Sequence, residues 1–134
     1  MIYLLDLNYT LVENSHEKAS PFIRQIERER YRQSIIDALK WYCVFLLTAR
    51  PDKYKDATIS SIQSKTGWKP DKSYFNSYGL PPPKAKEMML AEIRIEYPHE
   101  TFYGIESNPA TRAMYADQGV KSATWKDWLH EHSA

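Results

Sequence analysis

Apolar positions recur along this chain at two periods. Ile2 to Leu5 form an unbroken apolar run that stops on Asp6, the pattern of a strand covered on both faces. "WYCVFLL" is a second such run and ends in Thr48, Ala49 and Arg50. "YFNSYG" holds a short strand before a proline-stiffened loop, and "TFYGIE" and "VKSATW" read as two more strands. Between these runs the period lengthens. Phe22, Ile23, Ile26, Ile35, Ile36 and Leu39 recur at roughly helical spacing, with the charged "ERERYRQ" as the solvated face of about one long helix. Ser20 and Pro21 read as its N-cap and first position. "DKYKDATISSIQSKTG" predicts a polar helix with Ala57, Ile59 and Ile62 inward, stopped near Gly67. "KAKEMMLAEIRIEY" predicts a helix with Met88, Met89, Ile93 and Tyr97 toward the core. "PATRAMYADQG" predicts another, closed by Gly119, and "KDWLHEH" a tail helix.

Strands alternating with helices predict an α/β chain with a parallel sheet and helices on both faces. In such sheets, sites form just beyond the carboxyl ends of the strands. The first strand ends in Asp6, Asn8 and Thr10, and the second in Thr48, Ala49 and Arg50. "TFYGI" ends in Glu106, Ser107 and Asn108, and Lys84 and Lys86 stand at a helix start. A lysine there does nothing for the helix dipole, which favours a role in a site. If these ends converge, two carboxylates, a hydroxyl and a lysine suit a divalent cation and a phosphate.

Composition changes this picture little. With 134 residues, the chain is expected to form one domain over 1–134, with a core that needs no disulfides. A net charge of +1 removes the bulk argument for a nucleic-acid or membrane-surface protein, although 18 Lys and Arg leave room for a local basic patch. The lone cysteine, Cys43, stands in an apolar run and reads as a core residue rather than a nucleophile. No apolar run approaches the roughly 20 residues of a membrane span, and no basic stretch precedes the first one. The expected location is cytoplasmic, with no membrane partner.

Each of these features alone is weak; their order along the chain is specific. "LLDLNYTLV", "FLLTAR", "PKAKEMML" and "FYGIESNPATRAMYADQGV" together resemble the four motifs of the haloacid dehalogenase-like phosphohydrolase superfamily. The layout is similar to the phosphatase domain of phage polynucleotide kinase, whose second motif also reads hydroxyl, small residue, arginine. The resemblance implies a three-layer Rossmann-like fold and a Mg²⁺ cofactor. It implies that Asp6 is the nucleophile, forming an aspartyl-phosphate, and also a metal ligand. Asn8 would give its backbone carbonyl to the metal, and Glu106 a second carboxylate. Thr48, Ala49, Arg50 and Lys86 would bind the phosphoryl group, with Lys86 preferred over Lys84 because helix phasing and Glu87 fit the pattern. The implied substrate is a phosphate ester, with nucleotides and nucleic-acid ends as candidates.

Two departures from the pattern matter. The position of Asn8 is usually a second aspartate that serves as general acid and base; an amide cannot shuttle a proton, and such help is worth roughly 10²–10⁴-fold. Ser107 and Asn108 follow Glu106 where many relatives carry another acid. The gaps between Asp6 and Thr48, and between Thr48 and Lys86, hold no full cap domain, so the site is expected to be open, with Tyr9, Trp68, Tyr74 and Tyr78 as aromatic candidates for its walls or for the core. Two readings other than a phosphatase remain open at this point: a phosphate- or nucleotide-binding module using the same crevice, and an interaction protein with relic motifs. Oligomeric state is also open.

Overall fold

The computed structural model describes residues 1–132. Five strands, β1 (Ile2–Asp6), β2 (Cys43–Pro51), β3 (Lys72–Asn76), β4 (Phe102–Ile105) and β5 (Lys121–Ala123), form one sheet in the order β3-β2-β1-β4-β5. Every neighbouring pair is parallel. β1 is central, which is why Ile2 to Leu5 are apolar without alternation: all five of its residues, Asp6 included, are buried. Six helices cover the faces: α1 (Phe22–Arg28), α2 (Gln33–Leu39), α3 (Lys55–Thr66), α4 (Pro82–Glu96), α5 (Pro109–Asp117) and α6 (Trp125–His132). Tyr3 and Leu5 pack with Ile35, Ile36, Leu39, Ile62 and Trp128 on one face. Ile2 and Leu4 pack with Met89, Leu90, Ile93, Met114 and Tyr115 on the other. Each such side chain contributes ~1.5–3 kcal/mol of burial.

The chain moves outward from β1 through β2 to β3, then returns to place β4 on the other side of β1. Strand order reverses at β1, so the crevice of an open α/β sheet falls at the carboxyl ends of β1 and β4. Register sets the depth: Leu5 pairs with both Leu46 and Ile105, and Asp6 with Leu47. Asp6 at the end of β1, Thr48 on β2 and Glu106 just past β4 therefore lie at nearly one level.

Several local expectations are corrected. Residues 22–39 form two short α-helices, not one long one. Glu13 N–H donates to Arg30 O, Arg32 N–H donates to Leu11 O, and the Asn14 side chain holds Arg28 O and Arg30 N–H. These bonds take residues 29–32 out of a helix, and Glu29 and Tyr31, expected on a solvated face, are buried. Ser20 makes no capping bond; α1 starts after Pro21. Trp41 and Tyr42 precede β2 and are exposed, and Cys43, at the strand's outer end, is exposed too. Burial and the nearby Asp71 and Glu100 carboxylates push the Cys43 thiol up, which makes it a poor nucleophile. Met88 is exposed, because Met89, Leu90 and Ile93 occupy the inner stripe of α4. Gly67 ends α3 at φ 73°, the left-handed position expected of it. Trp68, Tyr74 and Tyr78 pack against the two cores. No helix among the described residues is long and apolar enough to cross a membrane.

Candidate active site

A cavity of about 200 Å³ opens at the strand ends, lined by Asp6, Asn8, Tyr9, Thr48, Ala49, Pro82, Lys86, Glu106, Ser107 and Asn108. Of the residues predicted from sequence, Asp6, Asn8, Thr48, Ala49, Lys86 and Glu106 line it, and Arg50 does not. Lys84 points outward, with 71% of its side chain exposed and Glu87 3.9 Å away.

At the floor, the Lys86 ammonium lies 2.8 Å from Asp6 Oδ1 and 2.6 Å from Glu106 Oε1. All three groups are buried. Lys86 is the fifth residue of α4, so the first turn of that helix carries its long stem down to β1. Asp6 Oδ2 accepts from Thr10 Oγ1 at 3.0 Å, from Ser107 Oγ at 2.8 Å and from Ser107 N–H at 3.3 Å. Burial works against the Asp6 charge, but the Lys86 ammonium and hydrogen bonds with Glu106, Lys86 and Ser107 outweigh it and hold the carboxyl below its ordinary range. Burial also works against the Lys86 charge, and the two carboxylates more than offset it, pushing its pKa up. Glu106 behaves oppositely. Burial, joined by the negative charge of Asp6, pushes its carboxyl up to about 7 against the pull of Lys86. Two carboxylates sharing one ammonium are thus split: Asp6 stays ionised and Glu106 titrates near neutrality.

Thr48 is buried within β2, one residue past the Leu47 that pairs with Asp6, and its Oγ1 accepts from Arg50 N–H at 3.1 Å. Its own proton remains available to the cavity. The Arg50 side chain turns the other way. Nη1 donates to Glu29 Oε1 and to Thr58 Oγ1, each at 3.0 Å, and Nη2 to Glu29 Oε2 and Asn8 Oδ1. The expectation that Arg50 binds a phosphoryl group is therefore corrected: its guanidinium is spent on a buried ion pair and on Asn8. Glu29, which pattern reading placed on a solvated face, is the partner that holds it there.

The fit to magnesium rests on the donor atoms. The Ser107 hydroxyl lies 2.8 Å from Asp6 Oδ2 and 3.3 Å from the Asn8 carbonyl oxygen, so these two oxygens already converge on one small atom. Glu106 adds a carboxylate, with Oε2 held by Asn108 N–H at 3.0 Å. An all-oxygen set with one or two carboxylates suits Mg²⁺, which keeps water and phosphate as its remaining ligands. No group of three or more His, Cys, Asp or Glu side chains is gathered among the described residues.

Thr10, the last position of the first motif, and Ser107, next to Glu106, both bond Asp6. Tyr9 has φ 61°, the only non-glycine at positive φ among the described residues, a conformation that costs ~1–2 kcal/mol for a side chain with a Cβ. Tyr9 lies in the tight turn between buried Leu7 and Leu11.

No protein-family model matches the sequence, and no curated protein matches it. Solved structures do. One is a chain of the Pnkp1/Rnl/Hen1 RNA repair complex, at TM-score 0.69 and 14% identity over 92% of this chain and 41% of that one. This chain therefore spans less than half the length of that one. Another is a hydrolase from Streptococcus pneumoniae TIGR4, at TM-score 0.66 and 14% identity over 99% of this chain and 98% of that one. These likenesses show a shared fold, a Rossmann-like five-stranded all-parallel sheet with helices on both faces.

Proposed function

We propose that the protein is a Mg²⁺-dependent phosphatase that works through an aspartyl-phosphate on Asp6, with nucleotides or polynucleotide ends as the substrate class. The observation that carries this reading is the ionised Asp6 carboxylate held between Lys86 and Ser107 at the floor of an open cavity. The substrate class draws on the neighbour from an RNA repair complex and on the described residues carrying no element inserted as a cap between Asp6 and Lys86.

Asp6 attacks phosphorus, the ester P–O bond breaks, and the departing alkoxide takes a proton from water. Water then attacks the aspartyl-phosphate, releasing phosphate and restoring the Asp6 carboxylate. Lys86 balances the charge of Asp6 and of the phosphoryl group as they approach. Thr48 Oγ1 donates to a phosphoryl oxygen. Asp6, the Asn8 carbonyl and Glu106 would hold Mg²⁺, which when bound supplies positive charge to the phosphoryl oxygens.

Position 8 supplies no proton shuttle, so a leaving group that departs unprotonated is favoured. That same feature supports a second reading, a phosphate- or nucleotide-binding module that turns over slowly or not at all. The discriminating experiment is a Mg²⁺-dependent phosphatase screen across aryl phosphates, nucleotides and 3′-phosphorylated oligonucleotides, with Asp6→Asn as control. Turnover that needs Asp6 supports the phosphatase. Binding of phosphate esters without turnover supports the module, and neither binding nor turnover overturns both.

A further inference from the structure

We propose that the Tyr9 ring is a platform on which the base of a nucleotide substrate stacks, an inference that rests on the phosphatase reading and adds a specificity residue to it. Tyr9 lines the same cavity as Asp6, Thr48 and Lys86, yet 52% of it is exposed. A ring left half in solvent gains little from burial, so core packing does not explain it.

Its backbone makes the choice of residue costly. Tyr9 sits at φ 61°, while the chain places glycine at its other described left-handed positions, Gly67, Gly79 and Gly119. The turn is pinned in that shape. Tyr9 N–H donates to the buried Ser15 Oγ at 2.7 Å, Val12 N–H donates to Leu7 O at 2.9 Å, and Leu7, Thr10 and Leu11 are fully buried. Glycine or asparagine would satisfy this turn without strain. Strain kept at the mouth of a site points to a use for the side chain.

Size indicates what lies over the ring. At about 200 Å³, the cavity is smaller than the ~300–1,000 Å³ that whole small-molecule ligands occupy. It accommodates a phosphoryl group and leaves the rest of the ester outside. In a nucleotide the ribose sets the base further out, at the level of the rim. Lys18 steadies the platform, with Nζ 3.5 Å from the Tyr9 hydroxyl and 5.4 Å from the ring centroid, and adds positive charge beside it.

The test compares adenosine 5′-monophosphate with ribose 5-phosphate, the same ester without its base, by calorimetry on the full chain in Mg²⁺. The wild type should prefer the nucleotide by roughly 5- to 160-fold, the range of one base–aromatic stack. Tyr9→Asn should abolish that preference and raise the thermal midpoint, because asparagine accepts the left-handed turn. Tyr9→Phe should keep the preference. Equal affinity of the wild type for both probes would overturn the platform, as would a preference that survives Tyr9→Asn. A thermal midpoint that falls in Tyr9→Asn would assign the ring to packing and also overturn it. A Tyr9-dependent gain for p-nitrophenyl phosphate alone would replace the nucleotide with an aryl ester. Failure to bind any phosphate ester is a different result: it removes the phosphatase reading itself.

Discussion

Arg50 Nη2 donates to Asn8 Oδ1 at 3.0 Å, from a guanidinium that the buried Glu29 holds through both carboxylate oxygens. Arginine offers only donors, so the atom of Asn8 that faces it must be the amide oxygen, and the NH₂ is the side left for the cavity. The Asn8 side-chain oxygen is thus committed to Arg50, which leaves the NH₂ as its donor for other partners.

This arrangement decides what Asn8→Asp would do. The new carboxylate would face the Arg50 guanidinium and be held ionised, as a base rather than an acid. It should speed the attack of water on the aspartyl-phosphate and leave the protonation of an alkoxide leaving group unaided. Turnover of p-nitrophenyl phosphate should therefore rise while the preference for aryl over nucleotide esters persists. A rise of ~10²-fold in nucleotide turnover, with the aryl preference gone, would show that position 8 can act as an acid despite Arg50.

Lys86→Ala should abolish phosphate binding and destabilise the fold. It leaves Asp6 and Glu106 buried without their shared ammonium, and breaking a buried ion pair costs about 3–5 kcal/mol. Lys84→Ala removes a mostly exposed side chain and should fall within about 0.5 kcal/mol of wild type. Phosphate titration and denaturant unfolding of the two variants check this together. Equal losses from both would contradict the assignment of Lys86.

Glu106 sets a pH dependence in chelator-treated protein. Its folded pKa, pushed up to about 7, exceeds the ordinary value of 4.5, so the folded state binds this proton more tightly than the unfolded chain. The stability it contributes is complete below about pH 4.5 and is lost as pH rises through about 7. Asp6 has the opposite sign: its folded pKa lies below 3.8, and its contribution is lost only as pH falls beneath that value. Denaturant unfolding across this range should show a decline toward neutral pH that Glu106→Gln removes. Parallel curves for the two proteins would rule the shift out.

Gly104→Ala tests the packing that supports the site from behind. A Cβ there would lie 2.8 Å from Tyr115 Cε2, 2.9 Å from Tyr115 Cδ2 and 3.2 Å from Ser122 Cβ. Tyr115 is fully buried in α5, so its ring cannot swing clear. Overpacking of this kind costs ~1–3 kcal/mol, and pushing α5 away from β4 also shifts Ser107 and Asn108 at its start. The thermal midpoint should fall, with partial recovery in Gly104→Ala combined with Tyr115→Leu. An unchanged midpoint would mean that β4 and α5 separate at no cost.

Local pattern determined the strands and most of the helices. Unbroken apolar runs ending on polar residues mark strands covered on both faces, and that coverage demands the helices between them. The same logic put Asp6, Thr48 and Glu106 at strand ends, and a lysine at a helix start, before any contact between them was known. What residues 22–39 would do was not legible, because helical spacing says nothing about competing bonds from Glu13, Asn14 and Leu11 across the chain. The direction of Arg50 was equally hidden. Its neighbours Thr48 and Ala49 face the cavity, but its own guanidinium follows Glu29, a residue 21 positions away that looked solvated in the linear pattern. Ion pairs and hydrogen bonds of this range are settled only when the chain closes on itself. So the sequence determined which groups the strand ends would carry, and the tertiary structure decided which of them point into the site and in what charge state.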